Sequence, residues 1–231
     1  MKRYDLNLFP TPVIVVKTED SDCLEKFCSI IKDHKQRTQN DPSSINVDPH
    51  QKNYVSNTDG HTSFYKGSLL QKGEFISVIE YLDKTIKRII SDKEKTKNFD
   101  LEWLDCWYTI YNQGNNVEEH FHPNSIISGV YYLKCPDNCG DIIFNDCNYH
   151  YKNFCLNTSP LKTFTYTKSF NLTPEDGMII LFPSWLPHKT ELNKSDEERI
   201  IIAFNLIPTY NYRSESNLGS NSYHVRNYGK D

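Results

Sequence analysis

The period of apolar positions changes near residue 100. Upstream of it, apolar residues recur twice at helical spacing. In "SDCLEKFCSIIKDHKQ", Leu24, Phe27, Cys28 and Ile31 share one face, and Ser21 or Asp22 stands where an N-cap belongs. In "GEFISVIEYLDKTIKRIISDKEK", Phe75, Val78, Ile79, Leu82, Ile86, Ile89 and Ile90 form a longer stripe, with lysines and aspartates on a solvated face. The run "TPVIVVK" before the first helix predicts a strand. Between the helices, "TQNDPSSINVDPHQKNYVSNTDGHTS" is polar and aperiodic, which predicts a long loop over 38–63 and a candidate flap.

Downstream the pattern is short β-branched and aromatic runs punctuated by Gly, Pro and Asn: "LEWLDCWYTIYNQG", "ISGVYYLK", "GDIIFND", "KTFTYTKSFNLT", "GMIILFPS" and "RIIIAFNLIP". Helices first and many short strands later predict an α+β, mainly β fold. The expected form is a double-stranded β-helix, the cupin-like jelly-roll, with two N-terminal helices packed on one face. One domain is expected over 1–231: an N-terminal strand and helices in 1–100, a jelly-roll core in 101–208 and a tail in 209–231.

Composition narrows the function classes. The apolar fraction is 37%, but 15 Tyr and 12 Phe supply burial that aliphatic residues would otherwise give. A formal net charge of -4 provides no basic field for nucleic acid. No apolar run approaches membrane-spanning length. "MKRYDLNLFPTPVIVV" carries two prolines and no small-residue cleavage site, so a cytoplasmic location is expected. Among the seven cysteines, Cys135, Cys139, Cys147 and Cys155 cluster loosely without a paired C-x2-C knuckle, so free thiols fit better than a zinc site. Asn157, Asn171 and Asn193 open N-x-S/T triplets, read as chance matches.

The chemistry concentrates in the strand-rich half. His120 and His122, in "EEHFHPNS", are two apart, and an extended backbone projects both from one face. His188 follows a buried strand and a Pro-rich turn, and Arg199 opens the apolar strand "RIIIAFN". A strand of that kind rarely begins with Arg unless the guanidinium holds an anion. Together these residues predict a cation site with a carboxylate site beside it.

The order of these motifs resembles the Fe(II)- and 2-oxoglutarate-dependent dioxygenases, with a prolyl-hydroxylase-like core. "HFHPNSIISGVYYLKCP", "GDIIFND" and "LFPSWLPHKTELNKSDEERIIIAFN" are similar to an oxygenase subfamily common in marine phages and bacteria, as is "LFPTP" near the N-terminus. The likeness is strongest over 104–207, weaker over 1–100 and absent from the tail. It implies an enzyme with Fe(II) as cofactor and 2-oxoglutarate as cosubstrate. His120 and His188 match metal ligands, and Arg199 matches the residue that forks onto the far carboxylate of 2-oxoglutarate. Tyr111 matches a tyrosine that hydrogen-bonds the cosubstrate, and Ser128 faces the same cavity if its strand alternates.

Two positions depart from that pattern. His122 stands where the family's carboxylate ligand belongs. His122 itself, Asp146 from "FND", or no third protein ligand at all each remain open, and each leaves positions for a cosubstrate. Ile201 replaces a small polar residue two after the arginine, which counts against a standard cosubstrate pocket. Trp185 and Pro183 are expected to pack the turn before His188, Trp103 and Trp107 to lie in the core or cavity wall, and Glu118 and Glu119 to be exposed.

The expected reaction is hydroxylation of a small-molecule or peptidyl substrate by dioxygen, coupled to decarboxylation of 2-oxoglutarate. One rival is a three-histidine cupin-like dioxygenase without the cosubstrate, and the other is a metal-free jelly-roll binding module. Arg199 separates them, because only the first reading needs it.

Overall fold

The change of period near residue 100 is a change of layer. The structure, a computed structural model, describes residues 11–39, 61–64, 67–91, 99–149 and 168–210. Strand β1 (Ile14–Lys17) leads to helix α1 (Ser21–Gln39), whose first turn is capped by Asp20 and not by Ser21 or Asp22. The Asp20 carboxylate accepts from the Cys23 N–H at 3.2 Å, which satisfies one donor the helix leaves bare. Phe27 and Ile31 are buried, as the spacing predicts, and so is His34. Helix α2 (Ile76–Ser91) begins one turn late, because Gly73–Phe75 form a 3-10 turn first. Its Val78, Leu82 and Ile86 are buried, each worth about 2 kcal/mol.

The strands β2 (His61–Thr62), β3 (Phe99–Tyr111), β4 (Ile127–Lys134), β5 (Ile142–Asn145), β6 (Ser169–Leu172), β7 (Met178–Pro183), β8 (His188–Thr190) and β9 (Arg199–Tyr210) complete the core. They form a six-stranded sheet of order β1-β7-β4-β9-β3-β2 and a three-stranded sheet β6-β5-β8, all antiparallel. One face of the large sheet packs on α1 and α2, while the other, with the small sheet, encloses a second core that includes Tyr111, Tyr132, Phe144 and Phe182. This is the expected α+β jelly-roll with two helices on one face. Coverage on both faces explains why "SGVYYL" and "MIILF" are continuous apolar runs without alternation. Strand β8 was not legible as a strand, and β9 runs to Tyr210, two residues into the expected tail.

One irregularity aims the site. Strand β3 pairs with β9 through a bulge between Trp103 and Asp105. Before it, Leu101 and Trp103 face the helices; after it, Cys106, Tyr108 and Ile110 do. The extra residue, Leu104, is 40% exposed and inverts the alternation. Trp107, Thr109 and Tyr111 therefore turn toward the second core and its cavity. Most of the polar stretch 38–63 lies outside the described residues, and so does Cys155. No helix among the described residues is long and apolar enough to cross a membrane.

Candidate metal centre and cosubstrate pocket

Backbone pairing brings the three histidines together before any metal is considered. His120 and His188 form an antiparallel bridge, with His120 N–H donating to His188 O at 3.0 Å and His188 N–H returning to His120 O at 2.9 Å. His122 N–H donates to Ser184 O at 2.9 Å. Because residues i and i+2 share a face, both imidazoles of "HFH" meet the ring of His188. Ring centroids are 4.3 Å apart for His120–His188, 5.1 Å for His122–His188 and 5.0 Å for His120–His122. One ring nitrogen from each lies within 4.8 Å of the other two.

Hydrogen bonds to the outer nitrogens set the ring orientations. His120 Nδ1 lies 2.8 Å from Glu118 O, and His188 Nδ1 lies 2.9 Å from Leu186 O. A carbonyl can only accept, so both Nδ1 atoms carry the proton and both Nε2 lone pairs remain for a metal. The support at Glu118 thus comes from its backbone, not from its carboxylate. Burial lowers the pKa of all three, His122 to about 4, and His188 to about 3 with the other two imidazoles adding to the effect. They are neutral near pH 7, which is the state that ligates.

Asp146 does not join them. Its Oδ1 accepts from Asn148 N–H at 2.9 Å, and the candidate metal group among the described residues consists of the three histidines. Ser128 is buried on the expected strand face, yet it does not line the cavity. Its hydroxyl contacts Ser184 Oγ at 2.9 Å and Asn205 Oδ1 at 2.7 Å. Trp185 is 54% exposed and does not pack the turn, Trp103 lies on Phe204 and donates its indole N–H to Asp83, and Trp107 forms cavity wall.

Arg199 does not itself line the cavity but lies against Tyr111, which does; it is 1% exposed, with its Cζ 4.0 Å over the Tyr111 ring. Nη1 donates to Cys139 O at 2.7 Å and to Gly140 O at 3.1 Å. Gly140 holds φ +86°, a conformation that favours glycine, and a Cβ there would come within 2.7 Å of Leu192 O. Nε and Nη2 are buried and find no hydrogen-bond partner among the described residues. Those two atoms form the side-on edge of the guanidinium, which matches a carboxylate bidentately. A cavity of about 340 Å³ extends past the histidines. Tyr132, which the sequence did not single out, lines it, and Ile201 lies where a polar partner was expected. Apart from the histidines, no titratable group with a full charge is among the described lining residues.

Neutral imidazoles at one end and an unsatisfied buried guanidinium at the other are a donor set that fits Fe(II) and a dicarboxylic 2-oxo acid. A family model described as "Putative 2OG-Fe(II) oxygenase" matches residues 105–205, the segment that carries the three histidines, Arg199, Tyr111 and Tyr132. Over residues 105–205 the chain is similar to the 2OG-Fe(II) oxygenases, and the three histidines lie inside that segment.

Solved structures share the fold at low identity. A prolyl-4-hydroxylase from Pseudomonas putida superposes at TM-score 0.52 with 12% identity, over 85% of this chain and 92% of that one. HygX from Streptomyces hygroscopicus, with nickel and 2-oxoglutarate bound, gives 0.54 at 14% identity, over 86% and 84%. A Trichoplax adhaerens prolyl hydroxylase in complex with a hypoxia inducible factor oxygen degradation domain peptide gives 0.54 at 14%, over 84% of this chain and 83% of that chain. A search of curated proteins finds no match.

Proposed function

We propose that the protein hydroxylates an apolar or peptidyl substrate segment, with iron held at His120 and His188, His122 at the third position, and the far carboxylate of 2-oxoglutarate on Arg199. The observation that supports the reading is the buried Nε–Nη2 edge of Arg199, without a hydrogen-bond partner among the described residues and stacked on Tyr111, which lines the cavity of the three histidines. A cation so placed is costly without an anion, and a cupin-like site working without a cosubstrate has no use for it.

When bound, Fe(II) and 2-oxoglutarate supply the oxygen-activating chemistry. The chain's own residues bind, orient and exclude water. Arg199 is held rigid by the Cys139 and Gly140 carbonyls and by the Tyr111 ring, so little side-chain freedom remains to be lost when the carboxylate docks. The ring of Tyr111 under the guanidinium and that of Tyr132 in the cavity wall help to keep the pocket dry, which strengthens the ionic contact. At the mouth, Phe64 and Phe121 are 46% and 58% exposed while lining the cavity, and Trp107 stands inside it. That aromatic entrance supports an uncharged, apolar group as the part of the substrate that enters. The bound peptide of the Trichoplax enzyme is in keeping with this.

The test is anaerobic addition of Fe(II), then 2-oxoglutarate, to the apoprotein. A visible charge-transfer band that is lost in His188→Ala and in Arg199→Ala is the expected result. No band at saturating cosubstrate would overturn the proposal in favour of a three-histidine dioxygenase without 2-oxoglutarate.

A further inference from the structure

Three hydrogen bonds around His122 fix where its proton lies. His188 Nδ1 donates to Leu186 O, so in the neutral ring His188 Nε2 is an acceptor. His122 Nε2 lies 3.3 Å from that Nε2, and two acceptors cannot share a hydrogen bond, so His122 Nε2 carries the N–H. Its Nδ1 is then an acceptor, and Asn205 Nδ2 stands 3.4 Å from it. The Asn205 amide is oriented from the far side by Ser128, whose hydroxyl reaches Asn205 Oδ1 at 2.7 Å, and Ser128 in turn meets Ser184 at 2.9 Å. The donors run in one direction: Ser184 to Ser128, Ser128 to Asn205, Asn205 to His122, His122 to His188.

We infer that Asn205 is a positioning residue that selects the tautomer of His122, holding it as an Nε2–H donor in the metal-free protein while His120 and His188 present lone pairs. His122 becomes a nitrogen ligand only if the chain reverses, with His122 Nδ1–H donating to a flipped Asn205 Oδ1. Hydroxyls and a carboxamide can run either way, whereas a carboxylate can only accept. An ionised aspartate at 205 would therefore force the ligating tautomer. Asn205 thus sets how readily the third imidazole joins the centre. The tautomer assignment stands on the hydrogen bonds alone. Its consequence for affinity rests on the metal-centre reading proposed above.

The experiment is long-range ¹H–¹⁵N correlation of the imidazole nitrogens in metal-free protein at pH 7.5, which separates Nδ1–H from Nε2–H tautomers. Wild type is expected to show Nε2–H for His122 and Nδ1–H for His120 and His188, and Asn205→Asp to move His122 to Nδ1–H. Ser128→Ala, a milder change, is expected to give His122 a mixture of both tautomers. Titration with Co(II) is the second readout, with Asn205→Asp binding about tenfold more tightly than wild type. An Nδ1–H pattern for His122 in wild type would overturn the inference, and so would a pattern unchanged in both variants. The expected tautomers with Co(II) affinity unchanged in Asn205→Asp would remove its link to the metal. Failure of the metal-centre reading would instead show as no Co(II) binding by any form.

Discussion

Replacing Arg199 by lysine keeps the positive charge and removes the fork. In the structure Nη1 is spent on Cys139 O and Gly140 O, and the Nε–Nη2 edge alone remains for an anion. A lysine ammonium is a point donor, and it lacks the planar face that stacks 4.0 Å over Tyr111. Two parallel charge-assisted hydrogen bonds become at most one. At about 1.5–3 kcal/mol for a hydrogen bond to a charged group, the loss corresponds to roughly 10- to 150-fold weaker binding of 2-oxoglutarate. Arg199→Ala removes both bonds and is expected to abolish measurable binding. The assay is anaerobic titration of the Fe(II)-loaded protein with 2-oxoglutarate, followed by the visible band. Metal binding serves as the control, because Arg199 is not among the groups gathered at the histidines. A change of less than threefold in Arg199→Lys, with metal binding intact, would refute the argument that the bare edge is a carboxylate site.

Other consequences follow from the same contacts. All three site histidines titrate below the ordinary histidine range, with His122 near 4 and His188 near 3, so the unfolded chain binds more protons than the folded one at mildly acidic pH. The metal-free protein should hold its stability above pH 6.5 and lose it as pH falls toward 4, by up to about 1.4 kcal/mol per pH unit for each histidine. Urea midpoints that stay flat between pH 7 and 4.5 would contradict this. At Gly129 a Cβ would lie 2.2 Å from Phe204 Cζ and 2.9 Å from Leu181 Cδ2, so Gly129→Ala should cost about 1–3 kcal/mol through overpacking, read as a lower Tm. A Tm within 1 °C of wild type, where roughly 2–4 °C per kcal/mol is expected, would count against that packing. Tyr111→Phe, which removes the hydroxyl that the family resemblance assigns to the cosubstrate, should weaken 2-oxoglutarate binding about 3- to 10-fold and leave the Tm in place. An unchanged affinity would show that the hydroxyl plays no part.

The sequence by itself determined the layers and most of the polar machinery. Helical spacing marked the faces of α1 and α2, and unbroken apolar runs marked strands covered on both sides. "HFH", His188 and an arginine opening an apolar strand were legible because each violates what a plain core strand would carry. Tertiary structure alone decided the rest. Whether Asp146 or His122 accompanies the other histidines depends on how β5 and β8 lie beside the 120–122 segment, which no local pattern encodes. Trp107 and Tyr111 reach the cavity only because the bulge at Leu104 inverts the alternation of β3. Ser128 and Asn205 look like ordinary strand residues until pairing between β4 and β9 sets them side by side under His122. Periodicity reports which face of one element is buried. Hydrogen-bond direction and donor convergence are properties of several elements at once, and they exist only when the chain has folded.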